Sequence, residues 1–156
     1  MLSILLIDDE PNVLAALSRT LRRQLDAAVR IETWTDPHAA LARVGTHEFD
    51  LIVADCHMPL MDGIQFLRSA RDLQPEALRI IVGVAAESGG TTAAIDEIDE
   101  IGMFRRVVKP WPAEQLVQDV RAALAQAAAS CGQRELAAAI RVASRTVDRA
   151  KVTSSE

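Results

Sequence analysis

Short apolar runs alternate with helical stretches along most of the chain, and this alternation limits the fold more than any other feature. Four of the runs are rich in Val and Ile and are continuous: Ser3–Ile7, Asp50–Ala54, Arg79–Val84 and Met103–Val108. Continuous apolar runs are typical of strands that are covered on both faces of a sheet. A fifth run, Arg30–Thr35, alternates in character and suits an edge strand.

Helical signals separate these strands. Five helices are predicted: from Pro11 to about Leu25, from Pro37 past Val44, from Ile64 to before Pro75, around Ile95–Ile101, and from Pro112 through Leu124. Alternation of this kind predicts right-handed βαβ crossovers and a parallel sheet with helices on both faces. The element count fits an α/β, flavodoxin-like, doubly wound sheet of five strands in the order 2-1-3-4-5 with five helices.

The tail lies beyond this pattern. We expect residues 1–126 to form one domain and residues 127–156 to form an Ala-rich helical extension or linker with a frayed end, interrupted at Ser130-Cys131-Gly132. Residues Leu136–Ala150 resemble the second half of a helix-turn-helix. Arg141 stands where that turn usually has Gly, and too little chain remains for a complete three-helix domain. A linker or dimerising extension is therefore the prediction.

Composition excludes some classes of function. The chain has 156 residues and a net charge of -5, which gives no support for nucleic-acid binding through a basic face. Two cysteines, Cys56 and Cys131, show no metal-ligand spacing, and Cys56 is expected to be a buried free thiol. The opening residues carry no cationic segment and only a short apolar run, so neither a signal peptide nor a membrane span is predicted. We expect a cytoplasmic protein without membrane association.

Acidic residues stand where predicted strands end. Asp8 and Asp9 follow the first strand, and Asp55 follows the third. The carboxyl ends of parallel strands meet at one edge of a sheet, so these carboxylates should converge and repel one another. A bound divalent cation would relieve the repulsion, and hard oxygen ligands favour Mg²⁺ over zinc. Lys109 follows the fifth strand and would bring an ammonium to the same edge, where it could neutralise a phosphoryl oxygen.

Three motifs together resemble the response regulator receiver domain of two-component signalling, the CheY-like family. They are IDDEP (Ile7–Pro11), VADCHMPLMDG (Val53–Gly63) and VKP (Val108–Pro110), and the resemblance covers about residues 1 to 126. It implies a module that accepts a phosphoryl group from a histidine kinase or phosphotransfer protein. Such a module then switches its interactions with an output domain or a partner protein, and it can form a homodimer. It is a phosphoprotein of a phosphorelay rather than an enzyme, apart from self-phosphorylation and autodephosphorylation.

The resemblance also implies a role for each site residue. Asp55 would be the phosphoacceptor that forms an aspartyl phosphate, and Lys109 would contact the phosphoryl group. Asp9 and Asp55 would bind Mg²⁺ directly, Asp8 would bind it directly or through water, and His57 would contribute its backbone carbonyl. The imidazole of His57 is expected to face solvent rather than to bind metal.

Two positions depart from the family pattern. Gly83 stands where the family has a Thr or Ser whose hydroxyl contacts the phosphoryl group, and Arg106 stands where it has an aromatic residue that rotates on activation. Hydroxyls in the following Gly-rich stretch could compensate: Ser88, Thr91 and Thr92. Phosphate acceptance should survive, whereas the response along the fourth and fifth strands, which the family transmits from Thr to the aromatic residue, should be weak. Gly83→Thr is expected to enlarge the response if the backbone there is ordinary β.

Other readings stay open. A pseudo-receiver would keep the fold but signal without phosphate, as Gly83 and Arg106 would allow. An aspartate-based phosphohydrolase of the haloacid dehalogenase kind is another reading. It would need the motif D-x-D after the first strand, whereas this chain has the adjacent acids Asp8 and Asp9 there. It would also need a cap domain. Asp8 and Asp9 could also be an acid cluster facing a helix dipole. The position of Trp111, directly after Lys109-Pro110, resembles the sequence of receivers that are joined to cyclic-di-GMP phosphodiesterase or similar output modules. The sequence does not specify the kinase, the output or the oligomeric state.

Overall fold

A computed structural model describes the backbone of residues 1–83, 100–107 and 113–153, with side chains throughout these ranges except at 133–139 and 141–153. These parts of the chain hold five strands and four helices: β1 (Ser3–Ile7), α1 (Pro11–Gln24), β2 (Arg30–Trp34), α2 (Pro37–Val44), β3 (Leu51–Asp55), α3 (Gly63–Leu73), β4 (Leu78–Val82), β5 (Arg105–Val107) and α4 (Ala113–Thr153).

The strands form one parallel sheet in the order β2-β1-β3-β4-β5. This confirms the predicted fold class and strand order, and β2 lies at an edge as its alternating sequence predicts. The central strands are almost wholly buried because both faces of the sheet are covered. On one face α2 and α3 pack through residues such as Val44, Phe66 and Leu67. On the other, α1 and α4 pack through residues such as Leu21 and Val120.

The C-terminal helix differs from its predicted form. The expected interruption at Ser130-Cys131-Gly132 is wrong, because α4 runs without a break from Ala113 to Thr153. One glycine costs a helix only about 1 kcal/mol relative to alanine, and the flanking alanines are strong helix formers. The region that resembles part of a helix-turn-helix lies within this helix and contains no turn. Most of the helix predicted around Ile95–Ile101 lies outside the described residues.

Arginine side chains fix the chain segment that leads into β5. The Arg79 guanidinium donates to the Gly102 carbonyl at 3.1 Å, and Arg71 donates to the Glu100 carbonyl at 3.0 Å. Burial, reinforced by the nearby Arg71 charge, lowers the pKa of Arg79. Gly102 has a φ of 75°, a left-handed conformation that favours glycine after a helix end. The start of β5 is thereby held against β4, where the Phe104 amide donates to the Arg79 carbonyl at 2.8 Å.

A polar network joins the edge strand to the helix that follows it. Arg43 of α2 donates through Nε and Nη2 to the two carboxylate oxygens of Glu32 on β2, and Nε lies 3.0 Å from Oε2. Hydrogen bonding from Arg43 lowers the pKa of Glu32 to about 2, against the opposing effect of burial, with Arg30 assisting. This two-point contact ties β2 to α2 near the edge of the sheet.

In the parts of the chain that the structure describes, no helix is both long enough and apolar enough to cross a membrane.

The Glu32 carboxylate should stabilise the fold in a pH-dependent way. Its pKa is depressed in the folded state from 4.5 to about 2, so its contribution is present above about pH 4.5 and is lost as pH falls toward 2. Glu32→Gln should lower Tm at pH 7, and the difference from wild type should shrink across that interval. Thermal unfolding at several pH values measures this effect. A double-mutant cycle with Arg43→Gln provides the control, because the two substitutions should not be additive.

Candidate functional site

Three carboxylates meet at the carboxyl ends of β1 and β3. Ile7 pairs with Ala54 in the register of these strands, so Asp8 and Asp55 occupy the next positions on neighbouring chains. Carboxylate oxygens of Asp8, Asp9 and Asp55 all lie within 4.8 Å of one another. Asp8 and Asp55 are only 8% and 6% exposed, while Asp9 is more accessible. The predicted convergence of these acids is therefore present in the structure.

Backbone contacts hold the first pair of acids in place. The Asp8 amide donates to the Trp34 carbonyl at 3.2 Å, which extends the β1–β2 pairing beyond the strand end. The Glu10 amide donates to Oδ1 of Asp8 at 2.9 Å. Glu10 is the N-terminal flanking residue of α1, and Pro11 occupies the first turn of that helix. Asp8 thus sits at a strand-to-helix turn that fixes its carboxylate direction.

The loop after Asp55 is secured at both ends. The Cys56 amide donates to the Val82 carbonyl at 2.7 Å, and the Gly63 amide donates to the Cys56 carbonyl at 2.9 Å. Asp62 caps α3 by accepting from the Gln65 amide at 2.8 Å. Met58 is buried in the core, whereas His57 is exposed between these anchors. Exposure of His57 agrees with the expectation that its imidazole faces solvent. Cys56 is a buried free cysteine, as predicted.

Gly63 has a role at the site that the sequence did not reveal. Gly63 does not have a positive φ; among the described residues only Gly83 and Gly102 have one. A Cβ added to Gly63 would lie 2.1 Å from the Asp55 carbonyl oxygen and 2.9 Å from the Cys56 Cα. These are backbone atoms of the site itself, and they cannot move aside cheaply. Glycine is required because the start of α3 approaches the end of β3 closely, which depends on tertiary geometry.

The two departures from the family pattern lie directly after β4 and on β5. Gly83 follows β4, is buried and has a φ of 91°. The condition attached to Gly83→Thr, an ordinary β backbone, is therefore wrong: a β-branched residue would be strained at this φ. Its amide donates to the Val107 carbonyl at 2.8 Å. Arg106 lies on β5 with an exposed side chain.

Several residues of the predicted site lie outside the described residues. They are Lys109, Pro110, Trp111 and the hydroxyl-bearing Ser88, Thr91 and Thr92. Their predicted roles stay predictions.

The described residues fit a hard divalent cation. Three carboxylate groups offer oxygen ligands from a small volume, and two of these groups are buried. Negative charges this close repel strongly unless a positive charge lies among them. No nitrogen or sulfur ligand belongs to the group, which disfavours zinc and favours a cation such as Mg²⁺. The geometry can therefore hold a metal ion beside the Asp55 carboxylate.

Comparison with known families agrees with this geometry. The family model for the response regulator receiver domain matches residues 4–121. The chain belongs to the response regulator receiver family. The matched receiver region includes the five strands apart from Ser3 at the start of β1, the acidic cluster, and α4 as far as Arg121.

Known proteins resemble this receiver over most of its length. The hydrogenase transcriptional regulatory protein HoxA of Cupriavidus necator is 30% identical over 122 residues, 78% of this chain but 24% of HoxA. This chain therefore spans about a quarter of the length of that relative. A receiver domain of an HD domain-containing protein from Pseudomonas fluorescens has a TM-score of 0.71 and 26% identity, and the match covers 82% of this chain and 98% of that one.

A CheY-like receiver from Methanospirillum hungatei has a TM-score of 0.73 and 21% identity, over 83% of this chain and 98% of that one. At this identity the likeness concerns the fold, and it supports the flavodoxin-like topology of the receiver.

Gly63→Ala should displace the backbone that supports the acidic cluster. The new Cβ would overlap the Asp55 carbonyl, so either the β3 end or the start of α3 must shift. We expect a destabilisation of roughly 1–3 kcal/mol together with weaker Mg²⁺ binding, measured by denaturant unfolding and by metal titration. Gly132→Ala is the matched control because nothing lies within 4 Å of its added Cβ. It should leave metal affinity unchanged and stabilise the long helix slightly. Equal, small effects of both substitutions would contradict the close-approach role of Gly63.

Proposed function

We propose that this receiver accepts a phosphoryl group on Asp55 in the presence of Mg²⁺ and thereby switches a downstream interaction. The observation that supports the proposal is the cluster of Asp8, Asp9 and Asp55 on adjacent strand ends in a chain of the receiver family. Asp55 belongs to the middle strand of the sheet and is nearly buried, so its carboxylate faces a site with restricted access to water.

The chemistry assigned to Asp55 is nucleophilic attack on phosphorus. A carboxylate oxygen forms the new P–O bond while the P–N bond of a phosphohistidine donor breaks in line with it, which gives an aspartyl phosphate and a free histidine. Asp8, Asp9, Asp55 and the His57 carbonyl would hold Mg²⁺, which when bound offsets charge on the phosphoryl oxygens. Lys109 would neutralise another of these oxygens. Hydrolysis of the acyl phosphate at Asp55 would reset the receiver.

The partners follow from this chemistry. A histidine kinase or a phosphotransfer protein in the cytoplasm would supply the phosphoryl group. HoxA is named as a transcriptional regulatory protein, and its length leaves room for a further part beyond the region matched here. For this chain we propose that residues 1–126 are the receiver and that 127–156 form a helical linker or dimerising extension toward an output.

A pseudo-receiver that signals without phosphate is the second candidate. The observation that favours it is the pair Gly83 and Arg106, which replaces the family's hydroxyl and aromatic residue. The acidic cluster favours phosphate acceptance instead, since three converging acids have little use in a protein that binds no cation. The third reading, a phosphohydrolase, is disfavoured by the receiver family match.

Asp55→Asn should abolish phosphorylation. After incubation with acetyl phosphate and Mg²⁺, intact-protein mass spectrometry should show one added phosphoryl group on wild type and none on the variant. Asp72→Asn is the control, because this exposed α3 residue pairs only with its neighbour Arg71 among the contacts described. It should be phosphorylated like wild type. Persistent modification of the Asp55→Asn protein would refute the assignment.

Mg²⁺ affinity should depend on Asp9 far more than on the His57 side chain. Asp9→Asn removes a proposed ligand and should weaken binding by tenfold or more, about 1.4 kcal/mol. His57→Ala retains the backbone carbonyl and should change affinity by no more than a few-fold. Isothermal titration with Mg²⁺ compares the two variants. A tenfold loss in His57→Ala would mean that the imidazole takes part in the metal site.

A further inference from the structure

We propose that Arg106 binds the phosphoryl group on Asp55 and supplies the donors that Gly83 lacks. The inference rests on the proposed function, because it requires phosphorylation of Asp55. It assigns a phosphate contact to a residue that stands in place of the family's aromatic side chain. Arg106 would then be both a ligand of the phosphoryl group and a link from that group to β5.

Sheet register places Arg106 near the required level. Ile81 of β4 pairs with Ala54 on one side and with Arg106 on the other, and Val82 pairs with Asp55. Arg106 is therefore one residue short of the Asp55 level and two strands away. Neighbouring strands lie about 4.8 Å apart, so the backbones are separated by roughly 10 Å. An extended arginine and an aspartyl phosphate, each reaching toward the other, can span this separation.

The Arg106 side chain lies on the face of the sheet to which Gly83 belongs, the position where the family has its phosphoryl-contacting hydroxyl. Asp55 pairs with Val82, which packs on the α1 and α4 face, so Arg106 and a phosphoryl group on Asp55 would meet beyond the strand ends. Val107 is buried against α1 and α4, and successive strand residues point to opposite faces. Arg106 therefore shares the opposite face with its pairing partner Ile81, which is buried on the α2 and α3 side. Gly83, two residues beyond Ile81, adds no side chain between Arg106 and the strand end. A Thr at that position would stand in the path.

Arg106 is available for a ligand, whereas its neighbour Arg105 is already engaged. Arg105 donates to the Phe104 carbonyl at 2.9 Å, lies 3.6 Å from the Asp119 carboxylate, and covers the Phe104 ring at 4.5 Å. Within residues 1–83, 100–107 and 113–153, the side chain of Arg106 takes part in no hydrogen bond or ion pair, and it is exposed. The Arg105 side chain is thus held by local contacts, whereas the Arg106 side chain can bind a ligand.

Guanidinium chemistry suits this task. A phosphoryl group brings a charge of about -1.5 to -2 and three strong acceptor oxygens. The planar fork of arginine can donate two parallel hydrogen bonds to two of them, which a threonine hydroxyl cannot do. The replacements of Thr by Gly and of the aromatic residue by Arg then belong together. Gly83 leaves space for the arginine side chain, and Arg106 provides the hydrogen-bond donors.

Beryllofluoride, which mimics a phosphoryl group on aspartate, provides the test on the full chain. Its affinity in saturating Mg²⁺ is measured for wild type, Arg106→Gln, Arg106→Lys and the control Arg105→Gln. Loss of a charged hydrogen bond predicts at least about tenfold weaker binding for Arg106→Gln, a smaller loss for Arg106→Lys, and binding within twofold of wild type for Arg105→Gln. Mg²⁺ affinity and Tm without beryllofluoride should be unchanged in Arg106→Gln.

The outcomes separate the inference from the proposed function. If wild type binds Mg²⁺ but not beryllofluoride, the proposed function fails and the inference falls with it. If wild type binds beryllofluoride and Arg106→Gln binds it equally well, the proposed function stands and the role of Arg106 is refuted. An equal loss in Arg105→Gln, or a parallel loss of Mg²⁺ affinity or Tm in Arg106→Gln, would also overturn the role, because each indicates a general electrostatic or structural effect.

Discussion

Electrostatic repulsion among three carboxylates is the constraint on which the rest of the site depends. Asp8, Asp9 and Asp55 are brought within 4.8 Å by the register of two parallel strands, and two of them are nearly buried. Such an arrangement costs free energy unless a cation lies among the oxygens. The apolar sheet supplies the rigidity that keeps the carboxylates together despite this cost, since its central strands are packed on both faces.

Backbone amides and carbonyls hold the residues of this site in place. Trp34 contributes a carbonyl, Cys56 contributes its amide and carbonyl to the turn after Asp55, and Gly63 allows a helix to begin against the Asp55 carbonyl. These contacts fix the place where phosphate would bond. Gly83 and Arg106, the residues that would respond to phosphate, lie directly after β4 and on β5. The departures from the family pattern in this chain thus lie outside the acidic cluster and the turns that support it.

Much of the fold could be predicted from the sequence because continuous Val- and Ile-rich runs mark strands buried on both faces. The same pattern predicted that Asp8, Asp9 and Asp55 would converge. This pattern could not predict tertiary geometry, because the close approach at Gly63 and the positive φ of Gly83 depend on neighbouring elements. The uninterrupted α4 was missed because Gly132 was given too much weight against the alanines around it. The roles of Lys109 and of the His57 carbonyl stay predictions.

Chemical trapping of the acyl phosphate tests the central claim most directly. Borohydride reduces an aspartyl phosphate to homoserine, so peptide sequencing by mass spectrometry after such treatment locates the phosphorylated aspartate. Wild type incubated with acetyl phosphate and Mg²⁺ should yield homoserine at position 55 alone, and chelation of the metal should remove it. Homoserine at another aspartate with an unchanged Asp55, or none at any position under conditions where Mg²⁺ binds, would contradict the account.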